Sequence, residues 1–200
     1  SSAEKLAPLV RQGVKAVDIS GDFRLKEKGE YEVWYKSDHA APDLLQEAVY
    51  GLPELNRDEV RLANLVANPG CYPTAALLAL APAVAAGIIE PDIIVDAKSG
   101  VSGAGRKSQV EYSYSEVNES INAYSLDGHR HQPEIGQELG RLDEAFRSQI
   151  TFLPHLVPMT RGLLASCYAP IKRSALGIDL QSAVMDVYSD FYKDEPFVHI

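Results

Sequence analysis

The stretch from Leu62 to Gly87 constrains this chain most. Leu62 to Ala67 is an apolar run of strand length, and the turn formers Asn68-Pro69-Gly70 stop it. Thr74 to Ala86 is then apolar almost all round, a pattern that suits a buried helix. Pro73 fits the first turn of that helix, where its missing N–H costs nothing, and Gly87 suits the end. A buried strand, a tight turn and a buried helix in succession point to a layered protein of mixed class.

The rest of the chain repeats the alternation. Residues 2–12 read as a helix, and Lys15 to Ser20 as a short buried strand. Residues 21–60, polar with scattered aromatics, are expected to form a long loop region with one helical turn near Leu44 and Leu45. Ile93 to Ala97 reads as a buried strand and Ser99 to Arg106 as a glycine-rich loop. Ile135, Leu139, Leu142 and Phe146 recur at helical spacing, which predicts an amphipathic helix over 133–146. Ile150–Leu153 and Leu163–Ile171 read as strands. Leu180, Val184, Val187 and Phe191 predict a last helix. The fold class is therefore α/β or α+β, with a domain boundary near Gly70.

Composition excludes some partners. Nineteen Lys+Arg against 28 Asp+Glu give a net charge of −9, which argues against nucleic acid and anionic membranes. The longest apolar run, Ala75 to Ile89, is broken by Pro82 and Gly87 and is too short to span a bilayer. Cys71 and Cys167 form no C-x-x-C pair and read as free thiols of a reducing cytoplasm. The opening Ser1-Ser2-Ala3-Glu4 has no initiator methionine, so the chain reads as a piece of something longer.

Five segments carry candidate chemistry. In Asn68-Pro-Gly-Cys71-Tyr-Pro-Thr74 a cysteine sits where a helix begins. Unpaired N–H groups and the positive end of the helix dipole favour a thiolate there, and the same N–H groups can hold an oxyanion. A small apolar cysteine packed under the helix is the alternative. In Gly128-His129-Arg-His131-Gln-Pro-Glu134 two of the five histidines and a carboxylate cluster at a helix start. They suit acid–base work beside a thiolate, a metal site lacking an assignable fourth ligand, or plain capping. Lys98 to Arg106 matches neither a dinucleotide fingerprint nor a phosphate loop, so alone it reads as a turn. Asp18-Ile-Ser-Gly-Asp-Phe-Arg24 delivers Ser20 and Arg24 at a strand end. Arg24 suits a carboxylate or phosphate, or an ion pair with Asp22. Pro154 to Gly162 offers His155 and Arg161 in what is otherwise a structural connection.

Six motifs in order resemble one family, N-acetyl-gamma-glutamyl-phosphate reductase. They are Val17-Asp-Ile-Ser-Gly-Asp-Phe-Arg-Leu25, Tyr50-Gly-Leu-Pro-Glu54, Asn68-Pro-Gly-Cys-Tyr-Pro-Thr-Ala75, Ser99-Gly-Val-Ser-Gly-Ala-Gly-Arg106, His129-Arg-His-Gln-Pro-Glu-Ile135 and Phe152-Leu-Pro-His-Leu-Val-Pro-Met-Thr-Arg-Gly162. The resemblance implies the later part of a Rossmann-type dinucleotide-binding domain over 1–70. A glyceraldehyde-3-phosphate-dehydrogenase-like catalytic and dimerisation domain with a mixed sheet would follow over 71–200. It implies NADPH-dependent reduction of an acyl phosphate through a Cys71 thioester, with phosphate release, in arginine biosynthesis. By the same resemblance His129 is the base, with His131 its competitor, and Glu134 orients the pair. Ser20, Ser99 and Gly100 fall on the NADP(H) site, and Arg24, Asn68, Arg106 and Arg161 on the substrate. No metal is implied. The partners expected are a small acyl phosphate and further copies of the chain, as a cytoplasmic homodimer or homotetramer.

The family's opening Gly-x-x-Gly-x-x-Gly turn is not in this sequence. The chain is therefore expected to be the middle of the enzyme and to bind NADP poorly by itself. The rival readings are a related reductase acting on a carrier-bound acyl phosphate, aspartate-semialdehyde dehydrogenase, a Cys–His acyl hydrolase or transferase, and an inert dimerisation module. The His-Arg-His-Gln-Pro-Glu run argues against aspartate-semialdehyde dehydrogenase.

Overall fold

The computed structural model describes residues 1–105, 109–172 and 179–200. They form two compact units, Ser1–Gly70 and Cys71–Ile200.

In the first unit three short parallel strands stand in the order β1 (Ala16–Asp18), β3 (Leu65–Ala67), β2 (Val49–Tyr50). The ladder runs on past the strand ends, with Asn68 N–H donating to the Asp18 carbonyl at 2.8 Å. Helix α1 (Ser2–Arg11) begins with a reciprocal cap between Ser1 and Glu4. Ala3, Ala7 and Val10 of its buried face join a core that includes Phe23, Leu25 and Leu65. The buried Asp18 carboxylate accepts from the Ser2 hydroxyl at 2.7 Å and from the Ser20 hydroxyl at 2.8 Å, which satisfies a charge no core tolerates alone.

The expected long loop over 21–60 is wrong. Helices α2 (Lys28–Trp34) and α3 (Pro53–Leu62) and strand β2 lie there. Pro53 at the first helical position is the start signal for α3. Tyr31 holds α2 instead of an apolar stripe: its ring is buried and its hydroxyl accepts from Leu25 N–H at 3.0 Å. Leu62 ends α3 rather than opening a strand.

The second unit is a four-stranded mixed sheet in the order β5 (Asn122–Ala123), β6 (Ile150–Leu156), β4 (Ile93–Ser99), β7 (Leu163–Tyr168). β4 and β6 run parallel, while β7 and β5 are antiparallel to their neighbours. Ile93, Val95, Ala97 and Ser99 of β4 are buried. The intervening Ile94 is 47% exposed, so β4 is covered on one face rather than both. Helices α4 (Cys71–Ala85) and α6 (His131–Leu142) belong to this unit, with α5 (Tyr114–Val117) and α7 (Leu180–Phe191). α4 opens at Cys71, three residues earlier than its apolar run suggests, because turn-forming residues serve as its first turn. α6 opens at His131 and stops at Leu142. Asp143 then turns the chain, its carboxylate accepting from Ala145 N–H at 3.1 Å, and buried Phe146 follows on a 3-10 turn.

Pro82 lies inside α4 and has no N–H, so the Leu78 carbonyl four residues earlier loses its helical donor. The Tyr192 hydroxyl supplies one at 2.7 Å, and Tyr188 donates to the next carbonyl, of Ala79, at 2.6 Å. These two bonds set α7 against α4. Removing the Tyr192 donor leaves a half-buried carbonyl without it, so Tyr192→Phe is expected to cost about 0.5–1.5 kcal/mol in urea unfolding. In a Pro82→Ala background the backbone N–H restored at that position can reach the carbonyl, and the same change is expected to cost less than half as much. Equal losses in both backgrounds contradict this assignment.

Candidate active site

Cys71 is the first residue of α4 and is exposed. Its neighbour Tyr72 is 2% exposed. Cys71 lines a cavity of about 440 Å³ together with Tyr72, Ser99, Gly103, Tyr112 and Tyr124. The cavity sits at the carboxyl end of β4, where Ser99 ends the strand and a tight 3-10 turn, Val101–Ala104, begins. That turn is bound to the connection between β6 and β7. Gly100 N–H donates to the Gly162 carbonyl at 2.9 Å, and Ser102 N–H to that of Thr160 at 3.0 Å. A Cβ on Gly100 would stand 2.8 Å from the Arg161 backbone nitrogen, so only glycine fits this close approach.

Tyr72 links the turn that carries Cys71 to the histidines. Its ring meets His129, His131 and Phe152 edge-on at centroid distances of 6.1, 5.9 and 5.4 Å. Its hydroxyl accepts from Tyr124 at 3.0 Å and donates to the His155 carbonyl at 3.4 Å. Tyr124 and Phe152 also pack on His129, at 5.9 and 5.3 Å. The rings of His129 and His131 lie 4.6 Å apart. This aromatic surround strips water from His129. Burial first, and the charge of Arg130 second, push its pKa down to about 4. Burial likewise pushes the phenols of Tyr72 and Tyr124 up, so both stay protonated.

α6 is fixed at its start by Gln132, whose side-chain amide donates to the Ile150 carbonyl at 3.0 Å. His131 is 6% exposed at the first position of the helix, and Glu134, one turn on, is fully buried. Among the described residues, no three His, Cys, Asp or Glu side chains gather as a metal site.

The structure thus brings Cys71 and Ser99 to one cavity and sets His129 and His131 against the tyrosines in its wall. Gly100 packs behind the loop, on Arg161, which is exposed. Arg106 lies outside the described residues. Ser20, Arg24 and Asn68 belong to the first unit, where all three serve the backbone. The Ser20 hydroxyl accepts from Asp22 N–H at 3.1 Å while donating to Asp18. Arg24, 8% exposed, donates from Nε to the Asn68 carbonyl at 2.8 Å. Sequence reasoning misses Tyr72 and Tyr124. Tyr72 lies inside a motif that is singled out for its cysteine, whereas nothing in the pattern around Tyr124 marks it.

The depressed pKa of His129 makes a prediction about stability. A folded-state value of about 4 against the ordinary 6.5 means that the unfolded chain binds the proton first. Stability is expected to be fully present above pH 6.5 and to fall as pH drops from there toward 4. His129→Gln is expected to flatten that slope in urea titrations, and an unchanged slope contradicts burial of this ring as its cause.

Comparison with known proteins places this architecture. Residues 71–200 match the family model described as the semialdehyde dehydrogenase dimerisation domain, and residues 1–63 match the semialdehyde dehydrogenase NAD-binding domain. N-acetyl-gamma-glutamyl-phosphate reductase of Dehalococcoides mccartyi (strain BAV1) is 50% identical over 192 residues, covering 96% of this chain and 55% of the relative. The enzyme of the same name from Heliobacterium modesticaldum is 50% identical over 200 residues, covering 98% of this chain and 56% of the relative. The chain therefore spans little more than half the length of these curated relatives. The crystal structure of aspartate semialdehyde dehydrogenase II from Vibrio cholerae shares the fold. Its TM-score is 0.62 at 19% identity, over 92% of this chain and 56% of that one. A partial nucleotide-binding sheet followed by a mixed-sheet domain is the expected architecture, and the chain belongs to the semialdehyde dehydrogenase family.

Proposed function

We propose that this chain carries the acyl-transfer centre of an N-acetyl-gamma-glutamyl-phosphate reductase. The observation that supports it most is Cys71, exposed at the start of a long buried helix, in a cavity whose tyrosine wall abuts two histidines. In this reading the Cys71 sulfur attacks the acyl carbon, the carbon–oxygen bond to phosphate breaks, and a thioester forms. First-turn N–H groups of α4 face the oxyanion that develops on the way. Identity of about half with reductases of that name favours this reading over a Cys–His hydrolase.

The cavity suits a nicotinamide as well. Gly103 and Ala104 line it beside Cys71 with almost no side chain, which leaves room for a flat ring. Ser99, Gly103 and Ala104 would hold that end, and Ser20 and Gly100 are carried over from the family resemblance. The bound cofactor, which we take to be NADP(H), supplies the hydride that reduces the thioester. Arg161 and Arg106 are the candidate holders of substrate charge, with Arg24 and Asn68 by resemblance alone. The partner we propose besides substrate is a second copy of the chain, in a homodimer or homotetramer, since residues 71–200 match a dimerisation domain. Among the described residues, no helix is long and apolar enough to cross a membrane, and we place the protein in the cytoplasm with the pathway it resembles.

The test is phosphate release from N-acetylglutamyl phosphate without any nicotinamide. One equivalent per chain is expected, with the acyl group on the Cys71 peptide, and Cys71→Ser should slow the burst by about 10³-fold or more. Continuous release over many turnovers would favour the hydrolase, and no release from the wild-type chain would count against both.

A further inference from the structure

The two phenols in the wall of the Cys71 cavity form a directed chain of hydrogen bonds. A carbonyl can only accept, so the bond to the His155 carbonyl commits the single hydroxyl proton of Tyr72. The bond between the phenols must then run from Tyr124 to Tyr72, which commits the proton of Tyr124 as well. The Tyr124 oxygen is left with lone pairs only. The chain is anchored in the sheet. The Tyr124 backbone N–H donates to the Pro154 carbonyl at 3.1 Å, one residue before the carbonyl that ends the chain, and its ring packs on His129. Tyr124 and Cys71 line the same cavity. Burial raises both phenols most, and the charge of a Cys71 thiolate raises both as well, so the pair stays protonated within electrostatic reach of the sulfur. Glu111 and Glu116 line this cavity too, and among the described residues no lysine, arginine or histidine does.

We propose that Tyr124 is a specificity-determining residue whose oxygen accepts a hydrogen bond from the amide N–H of an N-acylated substrate. The inference rests on the acyl-transfer reading above and deepens it. In N-acetylglutamyl phosphate the phosphate and the α-carboxylate are anions at neutral pH, and both carbonyls accept. The acetamido N–H is the one donor of that molecule, and it sits on the same short carbon chain as the acyl group that Cys71 attacks. An acceptor whose own proton is committed elsewhere selects that donor. It offers nothing to an anion, and the Glu111 and Glu116 carboxylates repel one, so the charged ends of the substrate are turned to other walls. Tyr72 is a positioning residue in this account. By taking the Tyr124 proton, it makes the phenol accept rather than donate. An ester oxygen in place of the N–H sets lone pair against lone pair, and such a ligand is rejected.

Two inert ligands test it on the full chain: N-acetylglutamate and 2-acetoxyglutarate, in which an ester oxygen replaces the N–H. Each is titrated as a protectant of Cys71 against iodoacetamide, so no acyl transfer is needed. Wild type is expected to bind the amide about 10-fold more tightly, the upper worth of one ordinary hydrogen bond. Tyr124→Phe removes the acceptor and is expected to bring the two ligands within about 2-fold of each other. Tyr72→Phe leaves the Tyr124 ring in place but frees its proton to turn into the cavity, and it is expected to narrow the preference to about 3-fold or less. No preference in wild type, or one that survives unchanged in Tyr124→Phe, overturns the proposal. A preference untouched by Tyr72→Phe overturns the committed proton, and protection by neither ligand overturns the subsite. Acylation of Cys71 by N-acetylglutamyl phosphate, measured in parallel, decides the reaction reading separately: discrimination without acylation upholds the subsite and removes the reaction.

Discussion

A helix that is apolar on every side has to be covered on every side, and α4 is such a helix. Tyr72, Ala76, Leu77, Leu80, Ala81 and Val84 are all buried along it. Each such side chain withdrawn from water is worth about 1.5–3 kcal/mol for the larger apolar residues. The remainder of the second unit supplies that cover: the sheet, α6 and α7. The ends of α4 are left open, and Cys71 stands at the first of them. Placement of Cys71 is thus a by-product of the burial that holds the domain together. The helix carries one flaw, Pro82, and the Tyr192 hydroxyl repairs it from α7.

The second consequence of burying α4 concerns the proton chemistry beside it. Tyr72 follows Cys71 in the chain but turns inward, so its ring forms part of the wall against which His129 and His131 pack. Desolvation there keeps His129 neutral at any physiological pH. The structure offers a neutral ring with one nitrogen already engaged by the backbone.

Much of this is legible in the sequence. The apolar run at 74–86 and the turn at 68–70 place Cys71 at a helix start, because burial and turn chemistry are both written locally. The histidine cluster before α6 is likewise readable as the start of an amphipathic helix. The segment 21–60 is not, since α2 is held by one buried tyrosine and α3 begins on a weak signal, Pro53. Nor is the role of Arg24. Its charge suggests an anion, whereas it spends Nε on a carbonyl at the end of a parallel strand, a tertiary contact that no spacing encodes. Tyr124 comes from a segment with no periodicity at all, and only the fold sets it beside Tyr72.

The central claim is that position, not residue type, makes one of the two cysteines reactive. Cys167 provides the internal control. It is half-buried on β7, and burial pushes its thiol up to about 11. The most direct test is timed alkylation of the native chain by iodoacetamide at pH 7.5, with both cysteine peptides quantified by mass. Cys71 is predicted to label at least about 100-fold faster than Cys167, since Cys71 is exposed while burial both shields Cys167 and raises its thiol. Comparable rates at the two sites, or faster labelling of Cys167, would contradict the account.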